Sequence, residues 1–129
     1  MQFERTGIIL FTHNYDACVA FYTETLGLSV LFSIDEGDTQ LTCCDFSGAY
    51  LMIETGAPKG CLRKTMAQNP TKLRFNVVDV EKAAEELKAK GIQLDVDVYS
   101  WGTIANFTDP DGNLCSLRDQ QTFGDQVTA

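Results

Sequence analysis

Apolar and polar positions along this chain alternate over several short stretches and fall at helical spacing over two others, and the order of these stretches repeats. Residues 5–12 form an apolar run rich in Ile and Phe, which predicts a buried strand. Asn14 follows as an N-cap, and Cys18, Phe21, Tyr22 and Thr25 fall at helical spacing before Leu26 and Gly27 end a helix. Short strand-like runs then occupy 28–33, 40–46 and 49–54, separated by EGD and SG turn signals. Residues 57–70, rich in Gly, Pro, Lys, Gln and Asn, show little periodicity and read as a linker.

Beyond that linker the order returns. Residues 72–78 alternate Leu73, Phe75 and Val77 against Lys72, Arg74 and Asn76. Asp79 caps a helical segment whose apolar face is Val80, Ala83, Ala84 and Leu87, and Gly91 ends it. Strands are predicted at 92–99, 103–107 and 113–117. The last two form a hairpin around Asp109-Pro110-Asp111-Gly112, where Pro110 presets φ, the aspartates bond their own backbone and Gly112 accepts positive φ. Each half reads strand, helix, three strands. The predicted class is α+β: two tandem βαβββ modules, at about 1–56 and 71–120, with a tail at 121–129. Their sheets are expected to build an open, concave mixed surface with the helices outside.

At 129 residues the chain is too short for two independent cores of ordinary size. No apolar run approaches the roughly 20 residues that cross a bilayer, and MQFERTGIIL lacks the pattern of a secretory leader. A cytoplasmic protein without a membrane partner is expected. A net charge of −8 makes nucleic acid an unlikely partner, because such a surface repels phosphate backbones. The five cysteines, Cys18, Cys43, Cys44, Cys61 and Cys115, contain no CxxC pair and read as reduced, mostly buried thiols.

Three segments carry a resemblance: FYTETLG at 21–27, VVDVEKAAEELKAKG at 77–91 and WGTIANFTDPDGN at 101–113. With them the chain resembles the vicinal oxygen chelate superfamily, the group of glyoxalase I, extradiol dioxygenases, fosfomycin-resistance enzymes and bleomycin-resistance proteins. The resemblance implies paired βαβββ modules and, commonly, a homodimer. It leaves activity open, since one scaffold hosts metal enzymes and metal-free binding proteins. Metal-dependent relatives place His or carboxylate ligands in the first, fourth, fifth and last strands. Matching the motifs puts Gly7, then Met52 or Glu54, then Lys72, then Ser116 at those positions. A glycine, a lysine and a serine are a poor set for a divalent ion, so neither metal nor another cofactor is expected. The lone histidine, His13, lies beside the turn into the first helix and reads as a surface or capping residue.

Alternation also assigns faces. If Leu73, Phe75 and Val77 lie under the second helix, then Lys72, Arg74 and Asn76 point the other way. The same logic turns Ile8, Leu10, Leu51, Ile53, Cys115 and Leu117 toward the helices. It turns Gly7, Ile9, Phe11, Tyr50, Met52, Glu54, Leu114, Ser116 and Arg118 toward the open face. The candidate ligand-binding set is therefore Phe11, Tyr50, Met52, Glu54, Arg74, Asn76, Trp101, Ser116 and Arg118. Glu54 and Arg74 are open to pairing with each other across neighbouring strands, and Trp101 to stacking on a ligand or packing at a dimer contact. This composition suits a small aromatic or amphipathic molecule, bound or sequestered without catalysis. The alternative is a lyase or isomerase of the glyoxalase type, with Glu54 as base and Arg74 steadying an oxyanion, with or without a non-standard metal site.

Overall fold

The computed structural model of the chain describes residues 1–60 and 62–129, so the expectation for Cys61 lies outside the described residues. The chain divides into two compact units, Met1–Leu62 and Arg63–Ala129, at a point within the stretch read as a linker. The first contains β1 (Gly7–Thr12), α1 (Tyr15–Ala20) continuing into a π-helical turn (Phe21–Thr25), β2 (Val30–Asp35), β3 (Gln40–Phe46) and β4 (Ala49–Thr55). The second contains β5 (Lys72–Val77), α2 (Val80–Ala89), β6 (Val96–Tyr99), β7 (Gly102–Thr108), β8 (Leu114–Asp119) and α3 (Gln120–Thr128).

The repeated element order produces a repeated topology. One sheet runs β1-β4-β3-β2 and the other β5-β8-β7-β6. In each, the module's first strand pairs parallel with its last and the remaining neighbours are antiparallel. The class is α+β, built as two tandem βαβββ modules on open four-stranded sheets.

In the first unit the register aligns Ile8 with Leu51 and Leu10 with Ile53. Leu51, Ile53 and Cys44 are buried together with Cys18, Phe21 and Tyr22 of the helix, as the period-two pattern requires. Ile8 shares that face yet stays exposed, because β1 is an edge strand with a neighbour on one side only. The helix start differs from expectation. Asn14 occupies the N-cap position without a side-chain cap, and its own amide donates to Thr12 Oγ1 at 2.9 Å. The β3–β4 hairpin turns through Ser47 and Gly48, both at positive φ, with Asp45 Oδ1 accepting from the Gly48 amide at 3.1 Å.

In the second unit Asp79 caps α2 as expected, accepting from the Lys82 amide at 3.0 Å. Gly91, at φ 88°, ends it in a motif where the Ile92 amide donates to Leu87 O and the Gly91 amide to Lys88 O. That closure ties Ile92 to the helix, and β6 begins only at Val96, later than the pattern suggested. Val80, Ala84 and Leu87 are buried over the sheet face that carries Leu73, Cys115, Leu117, Ala105 and Phe107. The predicted β7–β8 hairpin forms around Asp109, whose Oδ1 accepts from the amides of Asp111 and Asn113, both at 2.9 Å. The tail forms a helix, α3, which the sequence reading did not anticipate. Asp119 caps it, accepting from the Thr122 amide at 2.8 Å.

Candidate functional site

Helix α1 covers one face of the first sheet and α2 one face of the second, so the candidate chemistry lies on the opposite faces. On the first sheet the register places Gly7 beside Tyr50, Ile9 beside Met52 and Phe11 beside Glu54. β3 contributes Asp45, Cys43 and Leu41 to the same rows, and Phe32 lies beyond Cys43 on β2. Phe11 is 53% exposed, and Ile9, Phe32 and Ile34 also remain exposed. Arg5, Leu31, Phe32, Cys43, Tyr50 and Met52 line a cavity of about 370 Å³ with a mainly apolar wall. An aromatic ring or aliphatic chain is what such a wall stabilises.

Cys43 and Cys44 point to opposite faces, and both thiols are pushed up from their usual pKa by burial. For Cys43 the charge of Arg5 opposes the shift; for Cys44 its neighbour Cys43 adds to it. A raised pKa leaves little thiolate, so neither is an activated nucleophile.

On the second sheet, Lys72, Arg74 and Asn76 of β5 lie beside Leu114, Ser116 and Arg118 of β8, with Asn106 and Ile104 of β7 beyond. Lys72 Nζ donates to Asn106 Oδ1 at 3.3 Å, and Asn76 Nδ2 to Gln120 Oε1 of α3 at 3.0 Å. Ser116 has no exposed surface, and its hydroxyl donates to Leu117 O at 3.1 Å. Trp101 is 39% exposed and stacks parallel to Tyr99, with ring centroids 5.2 Å apart. The Arg118 guanidinium lies 5.0 Å from the Trp101 ring centre and 5.2 Å from that of Phe123. Its Nη2 donates to Trp101 O at 3.2 Å and to Gln126 Oε1 at 2.5 Å.

Helix α3 is thus what sequence reasoning missed at this site. It brings Gln120, Phe123 and Gln126 to residues that alternation alone had placed on an open face. The signal was present in weak form: Asp119 is a preferred N-cap residue, and Phe123 and Val127 share one helical face. Asp119 also accepts from the Thr103 amide at 2.8 Å. That bond, with those from the Thr122 amide and hydroxyl, holds the Asp119 carboxyl down at about 2.

The pairing of Glu54 with Arg74 across neighbouring strands, one of the readings left open, is excluded by the strand order. Glu54 lies on β4, whose neighbours are β1 and β3, and Arg74 on β5, whose neighbour is β8. The Arg74 pKa is lowered, first by burial and then by the charge of Arg118.

Gly7, Met52 or Glu54, Lys72 and Ser116, the positions that the resemblance matches to metal ligands, make a poor donor set for a divalent ion. A Cβ at Gly7 would lie inside van der Waals contact of the Tyr50 ring, so aromatic carbon fills the place of a first-strand ligand. Glu54 has Phe11 and Leu41 as its row neighbours. On the second sheet Lys72 is cationic and the Ser116 hydroxyl is turned to the backbone. Among the described residues no three His, Cys, Asp or Glu side chains come together as a metal-binding group.

Comparison with known proteins bears on the same scaffold. The sequence-family model described as the Glyoxalase/Bleomycin resistance protein/Dioxygenase superfamily matches residues 5–117. The protein YurT of Bacillus subtilis (strain 168) is 29% identical over 117 residues, covering 84% of this chain and 92% of its own. Among solved structures, the trypanothione-dependent glyoxalase I of Leishmania major superposes with a TM-score of 0.78 at 20% identity, covering 98% of this chain and 94% of its own. TnmS3, an antibiotic binding protein from Streptomyces sp. CB03234, superposes with a TM-score of 0.68 at 20% identity, covering 89% and 93%.

Proposed function

Because the chain belongs to the glyoxalase/bleomycin resistance/dioxygenase superfamily, in which metal enzymes and binding proteins share one scaffold, we propose that it is a metal-free small-molecule-binding protein. It works in the cytoplasm as a homodimer and binds or sequesters an aromatic or amphipathic compound. The observation that carries the reading is the chemistry at the family's metal positions. Tyr50 covers Gly7, and Lys72 replaces a neutral or anionic donor with a cation. A divalent ion gains nothing from such neighbours, whereas an apolar or aromatic surface gains from them.

The ligand-facing residues in this reading are Phe11, Tyr50, Met52 and Glu54 of the first unit, and Arg74, Asn76, Trp101 and Arg118 of the second; Ser116, expected among them, has no exposed surface and leaves the set. Apolar walls supply most of the affinity, and the few polar groups fix orientation. Sequestration of a toxic compound asks for no general base or nucleophile. The likeness to TnmS3, a protein named for binding an antibiotic, supports this use of the fold.

The test joins metal analysis to a thermal-shift screen. Gently purified protein is assayed for bound zinc, nickel and manganese, then melted against aromatic antibiotics, amines and thiol conjugates with and without those ions. The expected outcome is substoichiometric metal and a rise in Tm with one compound class that metal does not alter. At 100 times Kd a ligand adds about 2.7 kcal/mol, several degrees for a chain of this size. Stoichiometric metal held by two or more protein ligands would overturn the proposal.

A further inference from the structure

The open face of the second sheet gathers three cations on β5 and β8, while the acid in register with them, Asp97, lies two strands from Arg118 on β6. Lys72 and Arg74 follow one another on that face of β5, and Arg118 lies on the adjacent β8. The residues set among them in register are Asn76, Leu114, Ser116, Asn106 and Ile104, all uncharged. The carboxylates nearby are accounted for. Asp97 lies on β6, separated from Arg118 by the intervening Ile104 of β7. Asp119 turns to the amides of Thr103 and Thr122, and Asp125 of α3 accepts from Gln121 Nε2. On a chain with a net charge of −8, three cations on the paired strands β5 and β8, with no acid on that face of either strand, stand out.

Two further observations concern the guanidiniums. Nε of Arg74 and Nε of Arg118 are both buried, and neither has a hydrogen-bond partner among the described residues. Buried donors of charged groups are costly to leave unpaired, and two guanidiniums close enough to interact electrostatically repel each other. Arg118 is also held in place. It is 8% exposed, with Trp101 and Phe123 beside its plane and Nη2 fixed by Trp101 O and Gln126. A guanidinium fixed in this way has lost its rotamer freedom before any ligand arrives.

We propose that this face is an oxyanion subsite, in which Arg74 and Arg118 together hold a carboxylate or phosphoryl group of the small molecule. Arg118 is the fixed half and Arg74, which retains some exposure, the half that closes on the ligand. The Tyr99–Trp101 stack beside them offers its exposed edge to the ligand's ring. The subsite rests on the small-molecule reading above and narrows it to anionic compounds, which a pocket of apolar walls alone would not prefer.

Matched probes separate charge from shape: benzoate and phenyl phosphate as anions, benzamide as the neutral relative. Binding is followed on the arginine Nε–Hε NMR resonances of the intact protein, assigned with Arg74→Lys and Arg118→Lys variants. One or both anions are expected to shift the Arg74 and Arg118 signals to saturation, with benzamide at least about tenfold weaker. Whichever anion binds more tightly identifies the source of the oxyanion. Arg74→Gln is expected to weaken the anion about tenfold without changing benzamide, and Arg74→Lys to fall between. Equal binding of benzoate and benzamide would overturn the oxyanion subsite while leaving the small-molecule reading intact. Shifts confined to other residues, or unchanged anion affinity in a folded Arg74→Gln, would overturn it equally. Silence from all three probes would remove the subsite, and silence across the thermal-shift screen would remove the wider reading.

Discussion

At the scale of single residues, the meaning of Gly7 depends on Tyr50. Gly7 and Tyr50 are partners across parallel strands, and the tyrosine ring occupies the space above the glycine. Gly7→Ala therefore has to displace the ring. We expect a loss of about 1–3 kcal/mol in chemical denaturation, the usual cost of overpacking. In the Tyr50→Ala background the same substitution is expected to be close to neutral, since the obstacle is gone. Equal costs in both backgrounds would show that the ring does not hold that place. Alternation alone could say that Gly7 and Tyr50 share a face. It could not say that the ring leans over the glycine, because that is a choice of rotamer made after the strands have paired.

At the scale of elements, α3 changes the character of the second sheet. Its cap, Asp119, joins three structures at once: it ends β8, accepts from Thr103 of β7 and starts the helix through Thr122. Gly102 completes the junction, since a Cβ there would come within 2.6 Å of Thr122 Oγ1. In the folded chain the Asp119 carboxyl titrates at about 2, below its value of roughly 3.9 in an unfolded chain. The sign follows from that depression. The stabilisation is fully present above the unfolded value and is lost as pH falls from about 4 toward 2. The amide proton shifts of Thr103 and Thr122 are expected to titrate together in that low range. In Asp119→Ala both titrations disappear and α3 frays, seen as faster amide exchange. A midpoint near 4 in the wild type would rule out the proposed bonding.

Across the whole molecule, two βαβββ units are made from one element order, and each covers one sheet face with its own helix. The first sheet leaves Ile9, Phe11, Phe32 and Ile34 exposed, while the second presents cations and a Tyr99–Trp101 stack. The proposed homodimer is tested apart from that apolar surface, which the same reading gives to the ligand. Sedimentation velocity is expected to give a species of twice the 14.3 kDa chain mass at micromolar concentration. A species at 14.3 kDa throughout would remove the dimer from the reading.

The sequence by itself determined what local backbone chemistry and period-two alternation determine. The β3 bounds, the Asp79 cap, the Gly91 stop, the Asp109 turn and the faces of Leu73, Phe75, Arg74 and Asn76 were all legible, because each depends on residues within a few positions of one another. Tertiary structure decided the rest. That Arg118 is gripped by Trp101, Phe123 and Gln126, that Tyr50 overlies Gly7, and that Glu54 and Arg74 lie on strands of different sheets are outcomes of strand order and side-chain packing. Alternation fixes which way a residue points; only long-range pairing fixes what it meets there.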